Sequence, residues 1–290
     1  MNEQRARANG IELAYESFGD PGDETMLLIM GLGTQMIGWD ADFCRLLAAH
    51  SYHVVRFDNR DCGHSQLIDD GPLLQLADLA TVPIPAPYSL SEMAADAAGL
   101  LDALGIEQAH VVGASMGGMI AQLLAVERPE RLRSLCSMIS TTGDPGVGAP
   151  SPEGIAVLTG PRPADRAGTI EFAVDAMRVI GSPGYPPDEE RVRALAGESF
   201  DRGMSSAGLI RQLAAILTAT DRTEALAGVH APTLVIHGRE DKLVGFSGGE
   251  ATARAVPGSR LLAIDGMGHD LPEPLWDEFV EAIVTNARSG

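Results

Sequence analysis

The stretch AHVVGASMGGMIAQLLAVE, Ala109 to Glu127, decides the reading of this chain. It opens on a short β-branched run, passes through Gly113-Ala114-Ser115-Met116-Gly117, and continues as an apolar segment long enough for a helix. A G-x-S-x-G segment between a strand and a helix puts its serine on a sharp, strained turn. The flanking Gly113 and Gly117 are needed there because a Cβ would collide with neighbouring chain. The Ser115 hydroxyl then stands at a helix N-terminus, where unsatisfied N–H groups and the positive end of the dipole favour a developing oxyanion. The N–H of Met116 supplies one donor.

Working outward, the same strand-then-helix alternation recurs. Ile11 to Phe18 alternates in polarity, and Met26 to Met30 (MLLIM) is a continuous apolar run, the pattern of a strand buried on both faces. An amphipathic stretch, Ala41 to Ala49, leads to a β-branched run, His53 to Phe57. Leu90 to Leu104 reads as a helix opened by Ser89 or Ser91, with Glu92 in its first turn and Gly105 just past its end. Downstream, Arg133 to Ile139, Pro232 to His237 and Arg260 to Ile264 read as strands, with helical stretches at Gly248 to Val256 and Pro274 to Ala287. The pattern predicts an α/β fold, a mostly parallel central sheet with helices on both faces.

One segment interrupts the alternation. From Thr141 to about Ala227 no strand-like run occurs, only a Pro/Gly-rich lead-in and helical stretches near Ile155–Leu158, Thr169–Ile180, Asp188–Phe200 and Ser205–Thr218. A helical insertion where strands of a parallel sheet end is positioned to cover that end. The expected organisation is a core of residues 1–140 and 228–290 with a helical cap, or lid, at 141–227.

Charge and composition exclude several function classes. The 290 residues carry 21 Lys plus Arg against 40 Asp plus Glu, a formal charge of −19, and Lys242 is the single lysine. Nucleic acids and anionic membranes are recognised through clustered cations, which this chain does not offer. Cys44, Cys62 and Cys136 are odd in number and unevenly spaced, against both a disulfide framework and a four-ligand zinc site. The N-terminus has no apolar signal-like region, and the longest uncharged run, Gln108 to Val126, is broken by glycine, serine and glutamine. A cytoplasmic protein without membrane insertion is expected; oligomeric state is not legible.

A serine hydroxyl is a poor nucleophile unless a base takes its proton and a carboxylate orients that base. Of the downstream histidines, His230 falls in a polar connection and His237 at a strand end. His269 sits in GMGHDLP, between the last strand and the last helix, and is the expected base. Asp241 in HGREDKLV is the expected acid, with Glu240 and Asp265 as competitors. A second oxyanion donor belongs in the loop after MLLIM, where Gly31 and Gly33 let the backbone approach substrate; the N–H of Leu32 is the choice. No His, Cys, Asp or Glu cluster has metal-ligand spacing, and a serine mechanism requires neither metal nor cofactor.

Five segments in order, IMGLGTQMIGW, FDNRDCGHS, VVGASMGGMIA, LVIHGREDKLV and GMGHDLP, resemble the α/β-hydrolase superfamily across the whole sheet. The first two most resemble its bacterial serine carboxylesterases, the branch akin to aclacinomycin methylesterase. The resemblance implies a triad of Ser115, Asp241 and His269 and backbone donors at Leu32 and Met116. It departs at Met30, where relatives often carry histidine. It implies structural roles for Asp58, Arg60 and Ser65. It also implies hydrolysis of a carboxylic ester of a small molecule through an acyl-serine. Lactonase and thioesterase activities use the same groups, and perhydrolysis is a side reaction of them. A non-catalytic receptor on this fold usually shows a damaged triad. Epoxide hydrolases and haloalkane dehalogenases carry aspartate where Ser115 stands. The methionines bordering the predicted site, with their adaptable thioethers, suit an apolar acyl pocket. Gly31, Gly33, Met36, Met267 and, from a predicted helix at Leu209–Ala215, Arg211 are its candidate lining.

Overall fold

The computed structural model of the chain describes residues 3–68, 74–80 and 83–290. Its strands are β1 (Gln4–Ala8), β2 (Ile11–Phe18), β3 (Glu24–Ile29), β4 (Tyr52–Phe57), β5 (Ala109–Ala114), β6 (Leu132–Met138), β7 (Thr233–Gly238) and β8 (Arg260–Ile264). The α-helices are α1 (Ala41–Ala48), α2 (Leu90–Ala103), α3 (Met116–Glu127), α4 (Pro152–Thr159), α5 (Arg166–Ile180), α6 (Glu189–Arg202), α7 (Ser206–Leu217), α8 (Thr223–Leu226), α9 (Ser247–Ala255) and α10 (Trp276–Ala287). The strands form one sheet in the order β1-β2-β4-β3-β5-β6-β7-β8. Pairing is antiparallel at β1-β2 and β2-β4 and parallel from β4 onward, so the sheet is mostly parallel, as the alternation predicts.

Strand β3 shows why its sequence is apolar throughout. Side chains alternate across a strand, so Leu27 and Ile29 enter one core with Val111, Ile120 and Leu124, while Met26 and Leu28 enter the other with Trp39, Phe43 and Phe279. Helices α2 and α3 cover the first face, and α1 and α10 the second. Helix α2 starts where Ser89 and Glu92 close a reciprocal capping box, and Gly105 follows its end at φ +70°.

Strand β1 was not foreseen. Its sequence, QRARA, buries only Ala8, so hydropathy gave no signal. The Asn9-Gly10 pair supplies the hairpin instead, with φ of +48° and +85°, the two positive values a tight hairpin turn requires.

Helices α4 to α8 all lie between β6 and β7, and no strand occurs among them in the described residues. Helix α4 begins at Pro152, ahead of the expected Ile155, because Ser151 accepts from the N–H of Gly154 and proline is tolerated in a first turn. Asp165, Asp188 and Ser205 cap α5, α6 and α7 in the same way. No helix among the described residues is long and apolar enough to cross a membrane. All three cysteines are buried and unbridged.

Candidate active site

Ser115 occupies the turn between β5 and α3 with φ +56° and ψ −120°, a region non-glycine residues rarely adopt. The neighbouring glycines explain how that turn is possible. A Cβ on Gly113 would come within 2.1 Å of the Gly117 carbonyl oxygen, and one on Gly117 within 2.0 Å of the Ile29 carbonyl oxygen. The strained residue is then tied down from both sides. Its N–H donates to the Met138 carbonyl at 2.9 Å, and its own carbonyl accepts from the Ser140 hydroxyl at 2.8 Å.

The Ser115 Oγ lies 3.0 Å from His269 Nε2, and His269 Nδ1 lies 2.8 Å from Asp241 Oδ2. The other oxygen, Asp241 Oδ1, accepts from the N–H groups of Leu243 and Val244, each at 2.8 Å. Burial by itself raises the Asp241 pKa. The charge of His269 and the hydrogen bonds from His237 and His269 outweigh it, holding the carboxyl well below the usual carboxylate range. An ionised carboxylate only accepts, so His269 carries its proton on Nδ1 and turns the Nε2 lone pair toward the Ser115 hydroxyl. The competing carboxylates are engaged elsewhere. Glu240 accepts from the Gly266 N–H at 2.6 Å, and Asp265 pairs with Arg239 at 2.8 Å.

His237 is a partner that sequence reading set aside. It is fully buried behind Asp241, with Nε2 2.8 Å from the Val244 carbonyl and 3.4 Å from Asp241 Oδ2. A carbonyl accepts, so the proton is on Nε2 and Nδ1 is a bare acceptor against Gly249. The signal was present as the four-residue spacing from His237 to Asp241.

The loop after β3 runs beside Ser115. A Cβ on Gly31 would meet the Ser115 Cβ at 3.1 Å. The next backbone groups are organised by α7. Gln212, fully buried, accepts from the Gly33 N–H at 2.8 Å and donates to the Arg60 carbonyl at 2.7 Å. Leu209 covers Gly33, where φ is +63°. Leu32 thus lies between Gly31, packed on Ser115, and Gly33, latched to Gln212. Met116 opens α3, whose first N–H groups have no partner within the helix.

A cavity of about 780 Å³ opens onto Ser115 and His269. Gly31, Leu32, Met30, Met116 and Met119 line its floor, and Leu158, Phe172, Met177, Leu195 and Leu213 from α4 to α7 line its roof. Four expected lining residues are corrected. Met36 is buried beneath, its N–H donating to Asp58 at 2.6 Å, and Met267 is fully buried in the core among residues of α10. Gly33, half-exposed, has Leu209 lying against it and does not line the cavity. Arg211 reaches neither cavity nor solvent: it forms a two-pronged ion pair with Asp61 at 2.8 and 2.5 Å. Its helical position was read correctly, but its partner lies 150 residues away, in a loop whose path the sequence does not reveal.

Asp58, Arg60 and Ser65 act as scaffold. Asp58 accepts from Met36, His64 and Arg202, Arg60 pairs with Asp96, and the Ser65 hydroxyl donates to the Asp58 carbonyl. Among the described residues no group of three or more His, Cys, Asp or Glu could hold a metal ion.

The sheet order and the serine turn define an α/β hydrolase, and residues 26–282 match the model of the alpha/beta hydrolase family. The chain belongs to that family, a family of hydrolases. It is similar to rhodomycin D methylesterase DnrP of Streptomyces peucetius, 30% identical over 301 residues and covering 96% of both chains. It is 32% identical over 265 residues to 2-hydroxy-6-oxononadienedioate/2-hydroxy-6-oxononatrienedioate hydrolase 1 of Dechloromonas aromatica, covering 89% of this chain and 84% of the relative. Among solved structures it is similar to the enol-lactonase from Burkholderia xenovorans LB400, with a TM-score of 0.76, 25% identity, and coverage of 98% and 100%.

Proposed function

We propose that the protein hydrolyses carboxylic esters of apolar small molecules through an acyl-serine intermediate. Ser115 is the nucleophile, His269 the base and Asp241 the group that orients it. The single observation that carries this reading is the unbroken Ser115–His269–Asp241 hydrogen-bond relay opening into an apolar cavity.

In the first half-reaction Ser115 Oγ attacks the ester carbonyl while its proton passes to His269 Nε2. The carbonyl oxygen becomes an oxyanion facing the Leu32 and Met116 N–H groups, each such donor being worth about 3 kcal/mol where measured in other enzymes. His269 returns the proton to the departing alcohol. Water then attacks the acyl-serine, with His269 again taking and returning a proton, to release the acid. Asp241 stays ionised throughout and stabilises the imidazolium. Segment 141–227 serves as a cap that supplies the apolar roof and keeps bulk water from the acyl group.

The resemblance to a methylesterase over nearly the whole chain favours a methyl ester as the scissile group. The enol-lactonase neighbour makes a lactone the second substrate to try, since the same groups open it. The test is a panel of p-nitrophenyl esters of increasing acyl length, with methyl esters, lactones and thioesters alongside, and labelling by a fluorophosphonate. Turnover and labelling should both vanish in Ser115→Ala. Labelling retained at another serine refutes the assignment.

A further inference from the structure

Two arginines line the cavity above Ser115. Arg191 is neutralised: it donates to Asp40 and Glu273 and lies over the Trp276 ring. Arg162, on the connection between α4 and α5, is placed differently. Its guanidinium stacks on Phe172 at 4.3 Å from the ring centroid, and its one hydrogen bond runs from Nη2 to the Leu158 carbonyl at 3.3 Å. No carboxylate pairs with it among the described residues, in a chain that carries almost two acids for every base. A guanidinium has five N–H donors, so four are left without a protein acceptor among the described residues. Leu158 and Phe172, the residues it touches, offer no acidic side chain.

Leaving a guanidinium half-buried in an apolar wall without a counter-charge is unfavourable unless something else supplies the acceptor. The burial that disfavours its charge meets no opposing attraction from the protein. The acids that share the cavity are all engaged. Asp40 and Glu273 are held by Arg191, Asp188 caps α6, and Asp270 accepts from the Ser182 hydroxyl.

We infer that Arg162 receives a carboxylate carried by the substrate at the end remote from the scissile ester. The planar fork of N–H groups matches a carboxylate bidentately, and stacking on Phe172 fixes the plane of that fork. The substrate class is therefore a carboxylate-bearing ester of an otherwise apolar molecule. This inference rests on the ester-hydrolase reading and narrows it.

The test compares p-nitrophenyl hemiesters of dicarboxylic acids, over a range of chain lengths, with neutral p-nitrophenyl alkanoates of matched length. At one spacing the ratio of kcat/KM for charged over neutral ester should peak in the native enzyme and fall about tenfold in Arg162→Gln, the change that 1.4 kcal/mol produces. Arg162→Lys should keep part of the preference, because it keeps the charge and loses the fork. A ratio equal in native enzyme and Arg162→Gln at every spacing overturns the inference. Binding gives an independent readout in Ser115→Ala protein, by calorimetric titration with benzoate and its neutral isostere benzamide. Benzoate should bind more tightly than benzamide, and Arg162→Gln should remove the difference. If no ester is cleaved, the ester reading fails, and this titration still decides whether Arg162 holds a carboxylate. Equal binding of the two probes refutes it.

Discussion

Replacing Arg211 with methionine isolates the contact that joins α7 to the core. The Asp61 side chain is fully buried and accepts two hydrogen bonds from Arg211, one from the Tyr88 hydroxyl at 2.7 Å and one from the Ile68 N–H at 2.8 Å. Removing the guanidinium strands that carboxylate in the interior. Breaking a buried pair from one side costs about 3–5 kcal/mol. Tyr88 and Ile68 remain as donors, which sets the expectation at the lower end, about 3 kcal/mol. At about 2–4 °C per kcal/mol, Tm should fall by about 6–12 °C. Urea unfolding followed by the fluorescence of the buried Trp39 and Trp276 measures the loss directly. The double variant Arg211→Met/Asp61→Leu removes the stranded charge as well and should recover part of the stability, with Tyr88 then lacking its acceptor. A loss below about 1 kcal/mol in Arg211→Met, the range of exposed pairs, would refute the reasoning. Simple additivity of the two substitutions would refute it equally, because groups in contact must couple.

Three further outcomes are expected. Asp241→Asn should lower kcat by about 10⁴, whereas Glu240→Gln, which faces Gly266, should change it little; kcat measured on a reactive ester separates them, and the reverse ranking moves the acid to Glu240. Gln212→Leu leaves the Gly33 N–H and the Arg60 carbonyl without their side-chain partner, so the Leu32 backbone loses its anchor; kcat should fall more than KM rises, and a change confined to KM would assign Gln212 to ground-state binding alone. Burial lowers the pKa of both His53 and His110, against weaker opposing effects of Asp20, Asp23 and Glu24. The unfolded chain therefore binds their protons first. Stability from this source is complete above about 6.5 and is lost as pH falls from there through the folded-state values. Asp58 and Asp96, raised by burial, act in the opposite sense, so the comparison is made within one substitution. The drop in urea midpoint between about pH 7.5 and 5.5 should shrink in His110→Gln, and an unchanged drop removes His110 from the account.

What the sequence disclosed was whatever local chain geometry dictates. The turn at Ser115 was legible because Gly113 and Gly117 have no room for a Cβ, a constraint written within five residues. The position of His269 followed from the loop between β8 and α10, and that of Asp241 from the end of β7, since strand order determines which loops meet. Strand β1 was hidden because an edge strand with one buried residue has no hydropathy pattern, although Asn9-Gly10 offered the turn chemistry. Met36 and Met267 misled because bordering an active-site loop in sequence does not decide on which side of the backbone a side chain falls. Arg211 misled for a different reason. Its burial depends on Asp61, and no periodicity within α7 carries that information.

The same long-range contacts bear on what the helical insertion does. It reaches the surroundings of both Ser115 and His269. On one side, Gln212 holds the Gly33 N–H and Leu209 fills the space above Gly33, so α7 shapes the loop that packs on Ser115. On the other, the His269 N–H donates to the Ile180 carbonyl at 2.7 Å, and the Ser182 hydroxyl accepts from the Gly268 N–H at 2.9 Å, so the end of α5 seats the loop that carries His269. Gly268 itself admits no Cβ, because the Gly181 carbonyl oxygen lies 2.4 Å from where that atom would be. A roof that only excluded water would need none of these bonds. If Ser115, His269 and the Leu32 N–H act as proposed, a misplacement of about 1 Å would cost about 100-fold in rate, and the bonds from α5 and α7 are what hold these groups. On the proposed mechanism the insertion is part of the catalytic scaffold as well as its cover, and substitutions in α7 remote from substrate should be read first as changes in the positions of Leu32 and His269.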